Sequence, residues 1–313
     1  MDIEYLLWLQ NFRTAIDDAL TPFMMAVSDF AVGALVLIPV FIYWAVNKRN
    51  GLFILMAYSI SNVINGIVKL TCCVYRPWIR DARVVPYGNS LKTAGGYSFP
   101  SGHTMESSPT YGGLAVLTRK RAPLIMWLCI LGMILTALSR NYLGVHTPQD
   151  VIVGTILGLL SVYIASKITG YIYAHPEREN MILAVMFIAM LLAGAYIAFK
   201  PYPMDYDASG KLIVDPVSMI LSSIGHFGML AGFITGRYVE KTFIKFKAER
   251  FTMKSCILAL IGFVPLVLMD HKVRIWLSFI GKEPAKIIER FILGFFVMAL
   301  WPLVLKLFRA GED

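Results

Sequence analysis

Read for its alternation of apolar and polar positions, the chain opens on a stretch that is both at once. Across residues 3–27, Leu6, Leu7, Trp8, Leu9 and Phe12 are interleaved with Gln10, Arg13, Asp17 and Asp18. A helix with one apolar and one charged face lies in the plane of a membrane interface and does not cross it. The pattern then changes to long runs with few charges, at about 30–47, 52–70, 103–118, 122–138, 151–173, 181–199, 216–236, 254–269 and 288–307. Several approach the ~20 apolar residues that a helix needs to span hydrocarbon. In lipid each segment must satisfy its own backbone polar groups, so such runs fold as helices. The pattern predicts an all-α protein, a polytopic transmembrane helical bundle of about eight or nine spans with an N-terminal interfacial amphipathic helix. Three regions follow: the interfacial helix at 1–28, a core at 29–175 and additional C-terminal transmembrane helices at 176–313.

The run 103–118 is the least apolar, because it carries His103, Glu106, Ser107 and Ser108. A polar face at membrane depth is tolerated where it looks into protein or a wet cavity. Between the runs, Lys48-Arg49, Arg119-Lys120-Arg121 and the series Lys241, Lys245, Lys247, Arg250, Lys254 fall on alternate loops. By the positive-inside rule these loops are cytoplasmic. The loops 71–100, 139–150 and 200–216, the last with Asp205, Asp207 and Asp215, are then extracytoplasmic. Basic residues at 272–287 (Lys272, Arg274, Lys282, Lys286) fall on that same face, against the rule.

Composition agrees with the pattern. Of 313 residues, 57% are hydrophobic and 16% charged, against about 25% charged in an ordinary soluble domain, and mean hydropathy is +0.64. The net charge of +9 is accounted for by cations flanking membrane spans. A chain immersed in a bilayer has little free surface for a nucleic-acid footprint, so no nucleic-acid partner is expected. Cys72, Cys73, Cys129 and Cys256 lack metal-site spacing, and Cys129 and Cys256 read as small core residues. Asp2 and Glu4 stand where a cleavable leader would have cations, so none is expected.

Three short stretches carry the chemistry. Lys69 closes an apolar run and Arg76-Pro77-Trp78 follows; they read either as a membrane-flanking cluster or as a compact cation beside a planar fork that grips two phosphate oxygens. Pro100-Ser101-Gly102-His103 sits where a loop becomes a helix, and reads either as an ordinary capped start or as a turn whose N–H groups favour an anion. The third, from Ser139-Arg140 to His146 and Asp150, is the strongest. Thr147, Pro148 and Asp150 suit the N-cap, first and third positions of a helix. Asp150 can also accept from one His146 nitrogen and leave the other nucleophilic.

Together the stretches resemble the signature of the type-2 phosphatidic acid phosphatase superfamily: Lys-x6-Arg-Pro, Pro-Ser-Gly-His, and Ser-Arg-x5-His-x3-Asp. Lys69 to Pro77, Pro100 to His103 and Ser139 to Asp150 match it without departure, over roughly residues 30–173. The resemblance implies a metal-independent lipid phosphatase needing no cofactor, working in a lipid bilayer on a membrane lipid phosphate. It makes His146 the nucleophile that becomes a phosphohistidine, Asp150 its orienting carboxylate, and His103 the acid and then the base. Lys69, Arg76, Arg140, Ser101 and the Gly102 amide would hold the non-bridging oxygens, with Ser139 in support. Glu106, one turn past His103, either tunes it, binds a polar headgroup or is a spectator. Trp78, Arg80, Arg83 and Tyr97 occupy the loop between the first two stretches, while His226 and His271 are read as structural.

Family frequency favours undecaprenyl pyrophosphate as substrate in a bacterial plasma membrane, with phosphatidate, phosphatidylglycerol phosphate and sphingoid-base phosphate as competitors. The active site is expected on the extracytoplasmic face. Two rival functions are a lipid phosphotransferase using the same intermediate and a non-enzymatic lipid transporter, against which the acid–nucleophile pair argues. The sequence leaves the oligomeric state open.

Overall fold

The computed structural model describes residues 1–248 and 251–309, without the side chains of His271, Lys282, Glu283 and Arg309. Arg250, one of the loop cations invoked above, lies outside the described residues. The helices are α1 (Asp2–Ala15), α2 (Thr21–Val32), α3 (Leu37–Phe41, continued by a π-helical turn over Ile42–Val46), α4 (Lys48–Cys72), the short α5 (Pro77–Arg80), α6 (Gly102–Thr118), α7 (Pro123–Tyr142), α8 (Pro148–Ala174), α9 (Glu179–Phe199), α10 (Pro216–Val239), α11 (Met253–Trp276), α12 (Lys282–Phe295) and α13 (Trp301–Arg309). Among the described residues the sole β pairing is one isolated bridge, Tyr206 to Leu212.

Local chemistry sets the helix ends. Proline occupies the first turn of α7, α8 and α10, where its missing N–H has no partner to lose. Asp215 caps α10, accepting from Val217 N at 3.0 Å and Ser218 N at 3.3 Å. Among the described residues seven helices are long and apolar enough to cross a membrane, and an eighth span is completed if the pair Thr21–Val32 and Leu37–Val46, bent by 40°, counts as one. The remaining apolar run, 103–118, becomes α6, a 17-residue helix with Pro109 inside it. It is enclosed by α4, α7 and α8, which is how its polar residues avoid hydrocarbon.

α4 is the central post. It packs on α6 and α8 on one side and on α10 on the other. α10 and α12 form the tightest pair: a Cβ on Gly232 would lie 2.0 Å from the Phe291 carbonyl oxygen, and one on Gly294 2.4 Å from that of Met229. Only hydrogen at these positions lets the backbones meet.

The bundle has two chemically distinct ends. At one, a buried network joins Arg237 to Glu179 (2.7 Å) and Glu240 (2.6 Å), Lys48 to Glu240 (2.6 Å) and Lys241 to Glu179 (3.2 Å). The cationic loops at 48–49 and 241–247 therefore share that end. At the other, Lys200 Nζ donates to the Leu70 carbonyl (2.7 Å) and Tyr75 to Asp205 (2.5 Å). There α1 is strapped to the loop after α5 by Arg80–Asp2 (2.8 Å) and Arg83–Glu4 (2.9 Å). Arg13, on the polar side of the α1 pattern, is buried and donates to the carbonyls of Tyr142 and Val85. α2 runs across residue 28, so the interfacial region and the core share a helix.

Candidate active site

The three stretches meet at the second end of the bundle, where α4 stops and α6 and α8 begin. Asp150 organises the junction. Its Oδ2 accepts from Thr147 N (2.8 Å), while Thr147 Oγ1 accepts from Asp150 N (3.4 Å), a reciprocal cap. The same oxygen accepts from Ser98 Oγ (2.5 Å) and lies 3.3 Å from His146 Nδ1. The Asp150 carbonyl accepts from Ser101 N (2.9 Å), which ties the start of α6 to the start of α8. Capping and orientation are thus done by one carboxylate.

On the far side of the ring, His146 Nε2 lies 2.9 Å from Arg76 Nη1. A guanidinium can only donate, so Nε2 carries the lone pair and Nδ1 the proton directed at Asp150. That is the tautomer a nucleophilic Nε2 requires. Asn141 Nδ2 donates to the His146 carbonyl at 2.8 Å and fixes the residue's backbone. Burial, then the charges of Arg76, Arg140 and Lys69, hold the His146 imidazole well below its ordinary range. The competent neutral form therefore persists below the usual histidine value of about 6.5 and is lost as pH falls through the lowered value. The acid limb of kcat/KM should lie below about pH 6.5; a limb at or above that value would count against His146 as the free base.

The three cations behave differently. Arg76 is spread over the carbonyls of Gly95 (2.9 Å), Gly96 (3.2 Å) and Val145 (3.0 Å). Lys69 Nζ donates to the carbonyls of Pro100 (2.6 Å), Tyr97 (3.2 Å) and Ser98 (3.3 Å), so its ammonium builds the turn that precedes α6. Arg140 is 1% exposed and binds one partner, Ser28 Oγ on α2, at 2.5 Å. Its Nε and Nη2 have no partner among the described residues, nor do Ser101 Oγ and His103 Nε2. His103 lies within electrostatic reach of Arg140, His146, Arg76 and Lys69. Ser139 donates to the Thr136 carbonyl within α7 at 2.7 Å. Gly102 opens α6.

Buried donors cost about 1–3 kcal/mol each when left without any acceptor, so these groups favour a guest rich in acceptors. A tetrahedral oxyanion supplies that chemistry. Ser98, Ser28 and Asn141 were missed from sequence; only Ser98 carried a signal, its place two residues before Pro100. Tyr97 is fully buried, and half-buried Trp78 packs beside Tyr142 and Leu143. Gly154 sits where α8 crosses the start of α6: a Cβ there would be 2.2 Å from Thr104 Oγ1 and 3.0 Å from the Ser101 carbonyl oxygen. Gly154→Ala should push the Ser101–Thr104 turn off its position and lower kcat/KM by about tenfold or more; unchanged kinetics would show that the turn is not part of the site.

Long apolar helices around a buried histidine, a carboxylate and unpartnered cationic donors define the class as an integral-membrane phosphatase. Residues 50–174 match the PAP2 superfamily. The chain is 30% identical over 164 residues to phosphatidylglycerophosphatase B of Bacillus subtilis, covering 50% of this chain and 73% of that one. It is 33% identical over 126 residues to the undecaprenyl-diphosphatase of Sulfolobus acidocaldarius (38% and 57%). To the mouse glucose-6-phosphatase catalytic subunit 1 it is 26% identical over 204 residues (57% and 56%). The chain belongs to the PAP2 superfamily. It spans little more than half the length of the second and third of these relatives, and no solved structure matches it significantly. α9 to α13 lie outside the family match.

Proposed function

We propose that the protein hydrolyses a lipid phosphate monoester or pyrophosphate through a covalent histidine intermediate. One observation carries this: Arg140 Nε and Nη2, Ser101 Oγ and His103 Nε2 are buried together without acceptors, beside a histidine whose Nε2 lone pair is set by Asp150 and Arg76. In the first step Nε2 forms a bond to phosphorus and the bond from phosphorus to the leaving oxygen breaks. His103 gives that oxygen its proton. In the second, His103 takes a proton from water, the water oxygen bonds to phosphorus, and the N–P bond breaks to release phosphate. Arg76 Nη1 moves from Nε2 to a phosphoryl oxygen as the substrate arrives, while Arg140 and the first N–H groups of α6 take the other oxygens. Stabilising charge on three equatorial oxygens is the main catalytic task in phosphoryl transfer.

A lipid substrate is supported by the apolar helices that surround the site, and by relatives whose names include a phosphatidylglycerophosphatase and an undecaprenyl-diphosphatase. The positive-inside rule supports an extracytoplasmic reaction, because the site lies at the end of the bundle opposite the cationic loops at 48–49 and 241–247. The test is phosphate release by purified protein from a panel of lipid phosphates, with the His146 variant as blank. Vanadate, a mimic of five-coordinate phosphorus, should inhibit, and EDTA should leave the rate unchanged. Label appearing on an added lipid or sugar acceptor in place of free phosphate would identify a phosphotransferase instead.

A further inference from the structure

A second cavity, of about 560 Å³, lies between α4, α6 and the C-terminal helices α10 to α12. Its wall is largely aliphatic, but seven polar side chains line it: Tyr58, Ser59 and Asn62 of α4, Glu106 of α6, His226 of α10, Asp270 of α11 and Arg290 of α12. None belongs to the machinery described above except Glu106, whose role the sequence left open. Its position is set by the helices. Glu106 is three residues beyond His103, about 4.5 Å along α6, and Asn62 is seven residues before Lys69, about 10 Å along α4. The cavity therefore begins one turn beneath the phosphate-binding groups, on the interior side of the bundle.

The polar groups lean one way chemically. Asn62 is 4% exposed; its Nδ2 donates to the Tyr58 carbonyl (3.0 Å), and its Oδ1 has no donor among the described residues. The Glu106 carboxylate is an acceptor when ionised. Arg290 is engaged by Asp270 at 3.2 Å. An ionisable side chain at membrane depth is costly and marks a ligand or ion path by default. Asn62 Oδ1 and the Glu106 carboxylate share the polar side of the cavity with Tyr58, Ser59, His226, Asp270 and Arg290, and the rest of the wall is apolar, so the guest that fits has a polar end able to donate to these two acceptors and hydrocarbon at the other.

Resting on the proposed lipid phosphatase activity, we infer that this cavity receives the part of the substrate that follows the phosphate, and that this part carries a donor, hydroxyl or ammonium, within about three to six bonds of phosphorus. Glu106 and Asn62 accept from that donor, and the chain runs along the aliphatic wall supplied by the α2–α3 segment, α11 and α12. A bare isoprenoid would present only hydrocarbon to this polar side and offer Asn62 Oδ1 no donor. The inference selects amino-alcohol and polyol phosphates over polyprenyl pyrophosphates, and it gives the C-terminal helices, which lie outside the family match, a part in specificity.

The experiment compares phosphate release by the purified full chain from octadecyl phosphate and from its 2-hydroxy and 2-amino analogues. The donor-bearing substrates should exceed octadecyl phosphate in kcat/KM by about tenfold, and the better of the two analogues tells hydroxyl from ammonium. Asn62→Leu and Glu106→Gln should collapse that ratio toward one. Equal rates for all three substrates with the parental protein would overturn the inference while leaving the phosphatase reading intact. A Glu106→Gln protein slowed equally on all three would also overturn it, since Glu106 would then be acting through His103. Release from none of the three, nor from the wider lipid panel, would remove the phosphatase reading itself. Should a variant fail to fold by thermal melting, the parental ratio alone still decides.

Discussion

Replacing His146 with alanine should lower phosphate release by on the order of 10⁴-fold or more while the protein still folds and inserts. The expectation follows from what the ring does and does not support. His146 Nε2 touches Arg76, and Nδ1 faces Asp150 and Ser98. None of these contacts joins one transmembrane helix to another through the imidazole alone. The Thr147–Asp150 cap, the Ser98–Asp150 bond and the Arg76 bonds to Gly95, Gly96 and Val145 all survive its loss. The reaction has no substitute for the attacking nitrogen, whereas the fold keeps its other ties. Quenching the parental protein in alkaline detergent during turnover of phosphorus-labelled substrate should trap a base-stable, acid-labile phosphoprotein, absent from the alanine variant. His103→Ala should slow both formation and decay of that species, because the same imidazole serves both halves. Turnover above a few per cent in the His146 variant would assign the nucleophile elsewhere.

Arg140→Met is expected to separate activity from stability. In the unliganded site the guanidinium is almost fully buried, holds one hydroxyl, and leaves two nitrogens without acceptors. A buried charge so poorly paired is weak support for the fold. Methionine fills much of the same volume without the polar burden. The variant should therefore melt at the same temperature as the parent or somewhat higher, despite losing the bond to Ser28. Activity should fall by about 10²–10³-fold in kcat, the usual cost of deleting a donor to transition-state charge. Arg140→Lys should recover only part of it, because a point charge cannot replace a planar fork. Parallel losses of melting temperature and rate would instead mean that Arg140 acts as a structural tie between α7 and α2.

Much of the architecture was readable from linear pattern. Apolar runs mapped onto α4, α7 to α11 and the α12–α13 segment, because a span is a property of about 20 consecutive residues. The start of α8 was readable for a different reason: Thr147, Pro148 and Asp150 act within one turn of each other. The run 103–118 was readable only in part. Its polar residues signalled an enclosed helix, but that α4, α7 and α8 do the enclosing is a matter of packing. Lys69 has a use that its place in the motif does not reveal. Its place in the motif assigns it to phosphate, whereas its ammonium in the structure binds the carbonyls of Tyr97, Ser98 and Pro100. Ser28 and Asn141 left no trace in the sequence, because a single serine or asparagine has many innocent uses and gains a role only from its neighbour.

What the chain determined by itself was the set of helices, their ends and the residue types able to handle a phosphoryl group. These depend on burying backbone in lipid and on bonds spanning a few residues. Tertiary structure alone decided that Arg140 reaches Ser28 across 112 positions and that Arg76 sets the His146 lone pair across 70. It also decided that α10 to α12 close a polar cavity beneath the site. Hydrogen bonds and charge interactions depend on distance through space, and only the packed bundle sets those distances.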